Sequence, residues 1–283
     1  MNNADAVGAA SFCANRIGIW LTLCSVLCFV LVNRVIRLLP VPELVIAKGE
    51  SQKFRWRNLL VSFLHSCVTG LASVLCVASY WNHGMREDLF VFANYPAMFI
   101  CCFATGYFIY DCGHIVAAGH AKEKAEILLH HLSIILSAFY VIYETRGVGY
   151  AVVGLLIEVN TIFLHARKLL QMSGYRRNDS QVIFVVFPNF LTFLFFRFLP
   201  LSIVTSAIFM ERSRLPFSIW LLCSSSMILL FAINTVLFCR LIRADLLFQC
   251  TCDNLTPVRS YKRSRVFNLY DLCSSLNVDD CCN

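Results

Sequence analysis

The sequence predicts an all-α, multi-pass membrane protein with seven transmembrane helices, and three observations carry that prediction. Of its 283 residues, 58% are hydrophobic and only 14% charged, whereas soluble domains carry about 25% charged residues. Seven runs are apolar over roughly the 20 residues that a spanning helix needs. Lysine and arginine alternate from loop to loop as this number of spans requires. So few charges cannot coat a water-exposed surface, which excludes an ordinary cytosolic enzyme, a disordered chain and a nucleic-acid binder.

The runs are Ile17–Leu39, Leu59–Trp81, Tyr95–Ala118, Ile127–Tyr143, Val148–Leu169, Val182–Met210 and Phe217–Leu241. The first follows Arg16 but is too long for a signal-peptide core and lacks a small-residue cleavage site, so it reads as a retained span. Pro40-Val-Pro42 and Arg176-Arg-Asn-Asp179 have loop character. The fourth run is the shortest. The sixth is long and rich in phenylalanine, including Phe184, Phe187, Phe190 and Phe193, and Pro188-Asn189 interrupts it. A kink there would free backbone carbonyls to line a pocket or merely bend the helix.

Of the 24 lysines and arginines, 18 fall after spans one, three, five and seven and 5 on the other side, with Arg197 inside span six. Cytoplasmic loops carry the basic excess. The amino terminus is therefore expected outside and the tail in the cytosol. Adding or removing one upstream span would scramble this division. The sequons at Asn178 and Asn254 then lie on the cytosolic side and are expected to remain unglycosylated.

Fifteen cysteines suggest a disulfide framework until they are placed. Most lie in apolar runs, where a thiol acts as a small hydrophobe, and Cys101-Cys102 reads as packing. Few disulfides or none are expected. Residues 244–283 read as a mostly disordered cytosolic tail. Its basic cluster Arg259, Lys262, Arg263 and Arg265 suits either anionic lipid or simple topological charge. Cys250 and Cys252 suit either reversible acylation or ordinary exposure.

Ionisable groups within spans usually face a protein interior or a wet cavity, because lipid solvates them poorly. Here they are His65, Asp111, His114, His130, His131, Glu158, His165 and Arg197. Span direction brings most of them to the cytosolic half, with Glu158 roughly 10 Å deeper than His165 at the helical rise. Positions three, four and seven apart share a helix side. Tyr107, Asp111 and His114 thus form one stripe, flanked by Tyr110. Gly154, Glu158, Thr161 and His165 form a second. His130 aligns with Ser133 and Ser137, and His131 faces the same space obliquely. The simplest packing gathers these stripes around one pocket, suited to acyl transfer with a histidine as base or acyl acceptor and a carboxylate orienting it. Read singly, each residue is better explained as interhelical hydrogen-bonding glue, and it is the cluster that favours the pocket. Arg197 is expected to snorkel toward the outer interface. The motifs G-x-x-x-x-G-K-S/T, H-E-x-x-H and G-x-S-x-G are absent from the sequence, so nucleotide hydrolysis, zinc proteolysis and serine hydrolysis lack support.

Tyr107-Phe-Ile-Tyr-Asp111, His130-His-Leu-Ser-Ile-Ile135, Tyr143-Glu-Thr-Arg146 and Glu158-Val-Asn-Thr-Ile-Phe-Leu-His-Ala-Arg-Lys168 together resemble the TLC-domain family. That family groups ceramide synthases, translocon-associated membrane proteins and the ceroid-lipofuscinosis membrane protein. The resemblance covers roughly Arg55 to Arg243. With Phe54-Arg-Trp-Arg-Asn58, it is nearest the small members that regulate membrane fluidity. It implies a domain over residues 53–243, a six-helix bundle of spans two to seven around a central cavity. Residues 1–52 then hold the amino-terminal tail, the added first helix and a cytosolic linker.

The resemblance further implies a plasma-membrane protein, with the endoplasmic reticulum as the alternative. Such a protein limits polyunsaturated chains in phospholipids such as phosphatidylethanolamine, through a cytosol-facing cavity that binds acyl chains. Its partners would be phospholipids, acyl chains and lipid enzymes. The alternative is a ceramide-synthase-type acyltransferase using His130 and His131 with Asp111 and Glu158 in support. Tyr107, Tyr110, His114, Thr161, His165 and His65 would then contact substrate. No cofactor or metal is implied, and acyl-CoA would enter only as a substrate. His130 and His131 match the ceramide-synthase histidine pair and Glu158 its first acid. Thr161 stands where that motif has a second acid, which speaks against ceramide synthesis. A channel or receptor is disfavoured because the buried charges gather at one end and do not line a through-path.

Overall fold

A computed structural model describes residues 3–176 and 179–243 of the chain. The readings made on Asn178, on Asn254 and on the tail cluster with Cys250 and Cys252 fall outside those residues. The described chain is helical: α1 (Asn3–Ile36), α2 (Glu43–Ala47), α3 (Glu50–Tyr80), α4 (Tyr95–Ala117), α5 (Ala125–Glu144), α6 (Val148–Leu155), α7 (Ile157–Met172), α8 (Ser180–Phe193), α9 (Leu199–Met210) and α10 (Phe217–Ile242). Seven helical stretches among the described residues are long and apolar enough to cross a membrane. They coincide with the seven runs read from the sequence. Two are built from paired helices, α6 with α7 and α8 with α9.

Local chemistry sets several boundaries. Asn94 caps α4, its side chain accepting from the Ala97 amide at 2.8 Å, and Pro96 sits in the first turn. Thr145 and Gly147, at φ 54° and 76°, turn the chain between α5 and α6. The sixth span carries a π-helical turn, Leu194–Phe198, between α8 and α9. Pro200 has no N–H for the carbonyl four residues back, and widening the turn by one residue relieves the conflict.

Lipid tails are as apolar as leucine, so helices in a membrane associate through close packing and interhelical hydrogen bonds. The first span lies along α4, where the Ser25 hydroxyl donates to the Phe103 carbonyl at 2.7 Å. Phe29, 2% exposed, sits among the rings of His65, Phe103, Tyr107 and Tyr110. The described cysteines, Cys24, Cys28, Cys67, Cys76, Cys101, Cys102, Cys112, Cys223 and Cys239, are free thiols.

At the end of the bundle opposite the basic loops, three connections are tied together. Arg214 pairs with Asp88 through both carboxylate oxygens, at 2.7 and 3.1 Å, and lies over the Phe90 ring. Tyr150 donates to Glu211 at 2.7 Å, and the Gly147 amide donates to the Phe90 carbonyl at 2.7 Å. The Arg214 hydrogen bond holds the Asp88 carboxyl below its ordinary value of 3.8. A carboxylate depressed on folding contributes fully at neutral pH, and that contribution fades as pH falls through the lowered value. The pair is solvent-exposed, so salt screens it.

Phe29→Ala removes a buried ring of the kind whose truncation costs about 3–5 kcal/mol in packed cores. It is expected to lower the midpoint of thermal unfolding in detergent. Phe184→Ala, at a side chain 78% exposed on the lipid side, is expected to leave that midpoint unchanged.

Candidate functional site

The polar side chains singled out in the sequence separate into a packed layer and a cavity floor. In the layer, His65 stacks on Tyr107 with ring centres 3.8 Å apart and planes at 11°. Its Nδ1 lies 3.2 Å from the Thr69 hydroxyl. The Tyr107 hydroxyl donates to Ser62 at 2.8 Å. Asp111, 2% exposed, accepts from Asn58 at 3.0 Å on one oxygen. Its other oxygen faces His131 Nδ1 at 3.2 Å, off the axis a hydrogen bond requires, so this contact is a charge attraction when the ring is protonated. Phe108 packs on the His131 ring. Tyr110 lies between Phe29 and His114, and His114 closes the helix end against Phe54.

The cavity, of about 200 Å³, lies among spans three to seven. Its walls are mostly apolar, including Ala104, Phe108, Ile134, Leu201 and Leu230, and His130 and Glu158 stand on them within the spans. His130 Nδ1 is buried without a partner. Glu158 accepts from the Ser66 hydroxyl at 2.7 Å. Gly70, one turn beyond Ser66, makes this possible: a Cβ there would come within 2.9 Å of the Val159 backbone nitrogen. The His130 and His131 rings are 5.3 Å apart, so the histidine pair joins the cavity to the packed layer.

The cavity continues past Gly154 to Phe90, Arg146, Tyr150 and Leu215, which belong to the loop end opposite the basic one. This corrects the expectation of a pocket at the basic, cytosolic end. The aromatic contacts of His114 and the stacking of His65 and Tyr107 fill that part of the bundle. Accordingly, Tyr107, Tyr110, His114, His65, Asp111 and His131 do not reach the cavity wall. Of the second stripe, Gly154 and Glu158 line it and Thr161 and His165 do not. Span five breaks at Leu156, between α6 and α7.

Thr161 belongs to a third group, centred on Arg197. The expected snorkelling does not occur: Arg197 is 8% exposed. Its Nε donates to Asn160 at 2.6 Å, Nη1 to Asn234 at 2.6 Å and Nη2 to Thr161 at 2.7 Å, and the Phe193 ring lies 5.2 Å from the guanidinium carbon. The π-turn carries this residue inward. Glu158 stands one turn before Thr161 on the same helix, and His165 one turn after it. The carbonyl of Asn189, beside the Pro188 kink, accepts from the Asn160 side chain at 2.8 Å and does not face the cavity. A scan of ionisable residues passes over Asn58, Asn160, Asn189 and Asn234. Their signal in the sequence is an amide inside an apolar span, which needs a polar partner for the same reason.

Residues 55–243 match the profile of the TLC domain. This chain belongs to the TLC-domain family. The TLC domain-containing protein 2 of Danio rerio is 32% identical over 217 residues, covering 77% of this chain and 85% of that protein. The TLC domain-containing protein 1 of Homo sapiens is 30% identical over 248 residues, covering 86% and 94%. The human TLC domain-containing protein 2 is 26% identical over 214 residues, covering 75% and 78%. No solved structure is a significant match. The TLC domain here is thus a multi-pass membrane domain, with a polar layer packed between spans two, three and four and an apolar cavity beside it. Among the described residues no group of His, Cys, Asp and Glu is arranged to hold a metal ion.

Arg197→Leu would leave three buried side-chain oxygens without their donor. Breaking such a buried set costs about 3–5 kcal/mol. The variant is expected to unfold well below wild type in a detergent melt. Arg197→Lys, whose single ammonium cannot serve three separated oxygens at once, is expected to fall between the two.

Proposed function

We propose that this TLC-domain protein regulates the acyl-chain composition of membrane phospholipids, limiting polyunsaturated chains and so setting fluidity, by holding an acyl lipid in the cavity beside the polar layer. The observation that carries the reading is an apolar cavity ending at His130 and Glu158. Ten residues of helix separate Val148, at the loop end, from Glu158, roughly 15 Å at the helical rise. That equals half of the about 30 Å hydrocarbon core, the depth reached by a chain of one leaflet. A chain going deeper would desolvate the polar floor, so the floor acts as a stop. The family resemblance supplies the fluidity role and the plasma-membrane location, and the arginine and lysine distribution supplies an outside amino terminus and a cytosolic tail.

Gly154 offers a direct test, because it lines the cavity and a Cβ there meets nothing within 4 Å. Gly154→Leu fills the space without a backbone clash. In cells lacking the protein, wild type is expected to lower the polyunsaturated fraction of phosphatidylethanolamine, and Gly154→Leu to restore little of that effect. Equal rescue by both would remove the cavity from the function.

The unpartnered His130 Nδ1 on the cavity wall favours one second reading, acyl transfer. In it the thioester carbonyl of acyl-CoA lies at the floor, His130 removes the proton of an attacking amine or hydroxyl and passes it to the departing CoA thiolate as the C–S bond breaks, and Glu158 stabilises the intervening imidazolium, with His131 and Asp111 behind. Thr161 hydrogen bonds to Arg197 and does not contact substrate in this arrangement. Purified protein given acyl-CoA with a sphingoid base or a lysophospholipid would then form product, and His130→Ala would lower the rate by about 10²-fold or more. Absence of product with both acceptors leaves the binding role.

A further inference from the structure

The two readings place opposite ends of the lipid at the floor, and the rim of the cavity distinguishes them. Arg146 lines the cavity at its loop end and is solvent-exposed. It makes no hydrogen bond or ion pair among the described residues. Its neighbours in sequence are spoken for: the Gly147 amide donates to Phe90, and the Tyr150 hydroxyl to Glu211. Arg214, from the facing loop, is used by Asp88 and Glu211. The rim therefore combines a guanidinium with unused donors and an apolar shaft one leaflet deep.

We infer that Arg146 binds the anionic group of the lipid, a phosphate or a carboxylate, while its chain runs down the cavity with the chain end toward His130 and Glu158. A planar guanidinium presents two parallel N–H donors to two oxygens of such a group. At the loop end of the bundle it sits at headgroup level, where an amphiphile changes from polar to apolar. Charge and apolar depth thus select the same molecule, an acyl lipid with an acidic head. This assignment rests on the acyl-binding reading of the cavity. It also argues against chemistry at the floor, because the carbonyl would then lie near the rim, far from His130.

The test uses the full chain in nanodiscs and displacement of a fluorescent fatty-acid probe by three ligands sharing one oleoyl chain. These are oleoyl lysophosphatidic acid, oleate and neutral monooleoylglycerol. Wild type is expected to bind at least one acidic ligand about tenfold more tightly than the neutral one, the worth of one charge-assisted contact. Arg146→Gln is expected to erase that difference while leaving monooleoylglycerol unchanged, and Arg146→Lys to keep part of it. A preference for the phosphate identifies a phospholipid as the source, and a preference for the carboxylate a free fatty acid.

Unchanged acidic-ligand affinity in Arg146→Gln, with all binding lost in Gly154→Leu, overturns the rim assignment and leaves the cavity reading standing. Absence of displacement by any of the three from wild type defeats both. Arg146 is exposed, so loss of fold does not cloud its variants, and a thermal melt of Gly154→Leu confirms that it is folded before its binding is read.

Discussion

The bundle depends on how it accommodates a guanidinium and a carboxylate in hydrocarbon. A charge in the middle of a membrane is tolerated only where protein groups replace the water it has lost. Arg197 meets that condition with three neutral oxygens from three side chains, on spans five and seven. Glu158 in turn accepts from Ser66 on span two. Arg197 thereby ties span six to spans five and seven, and Glu158 ties span five to span two. Each of these contacts is modest alone, but losing any of them leaves another group unsatisfied, and this fixes the helices in one register.

The number of spans, their approximate edges and the alternation of basic loops were readable from sequence because each follows from a one-dimensional property: hydropathy over a window, or charge per loop. The closeness of Asp111 to His131 was also within reach, since helix direction and periodicity place them at neighbouring heights. The position of the cavity was not. It depends on which side chains fill space, and the stacking of His65 on Tyr107 and of His114 on Tyr110 and Phe54 fills the basic end. Periodicity gives the side of a helix a residue occupies but not whether its neighbour has already closed that side. Arg197 was misplaced for a related reason. A lone arginine inside an apolar span reads as one that can reach the interface, until the wider turn at Leu194–Phe198 is taken into account.

The division between packed layer and cavity floor changes what the paired histidines mean. His131 is held by Phe108 and faces Asp111, whereas its neighbour His130 stands on the cavity wall with one ring nitrogen unused. Two adjacent residues on one helix thus serve different surroundings, one shaping the bundle and the other available to a guest. Treating the pair as a single motif conceals this asymmetry.

The wide turn in span six also acts as a phase adjuster. It accommodates one residue more than an ideal helix would hold over the same length, so the stretches before and after it are out of step by roughly 100°. Deleting a single residue between Leu194 and Phe198 would bring them back into step, and one of the two halves would have to present its inward face to lipid. Chain length at this point is therefore as much a part of the structure as the identity of Arg197, and shortening it would cost more than most changes of side chain.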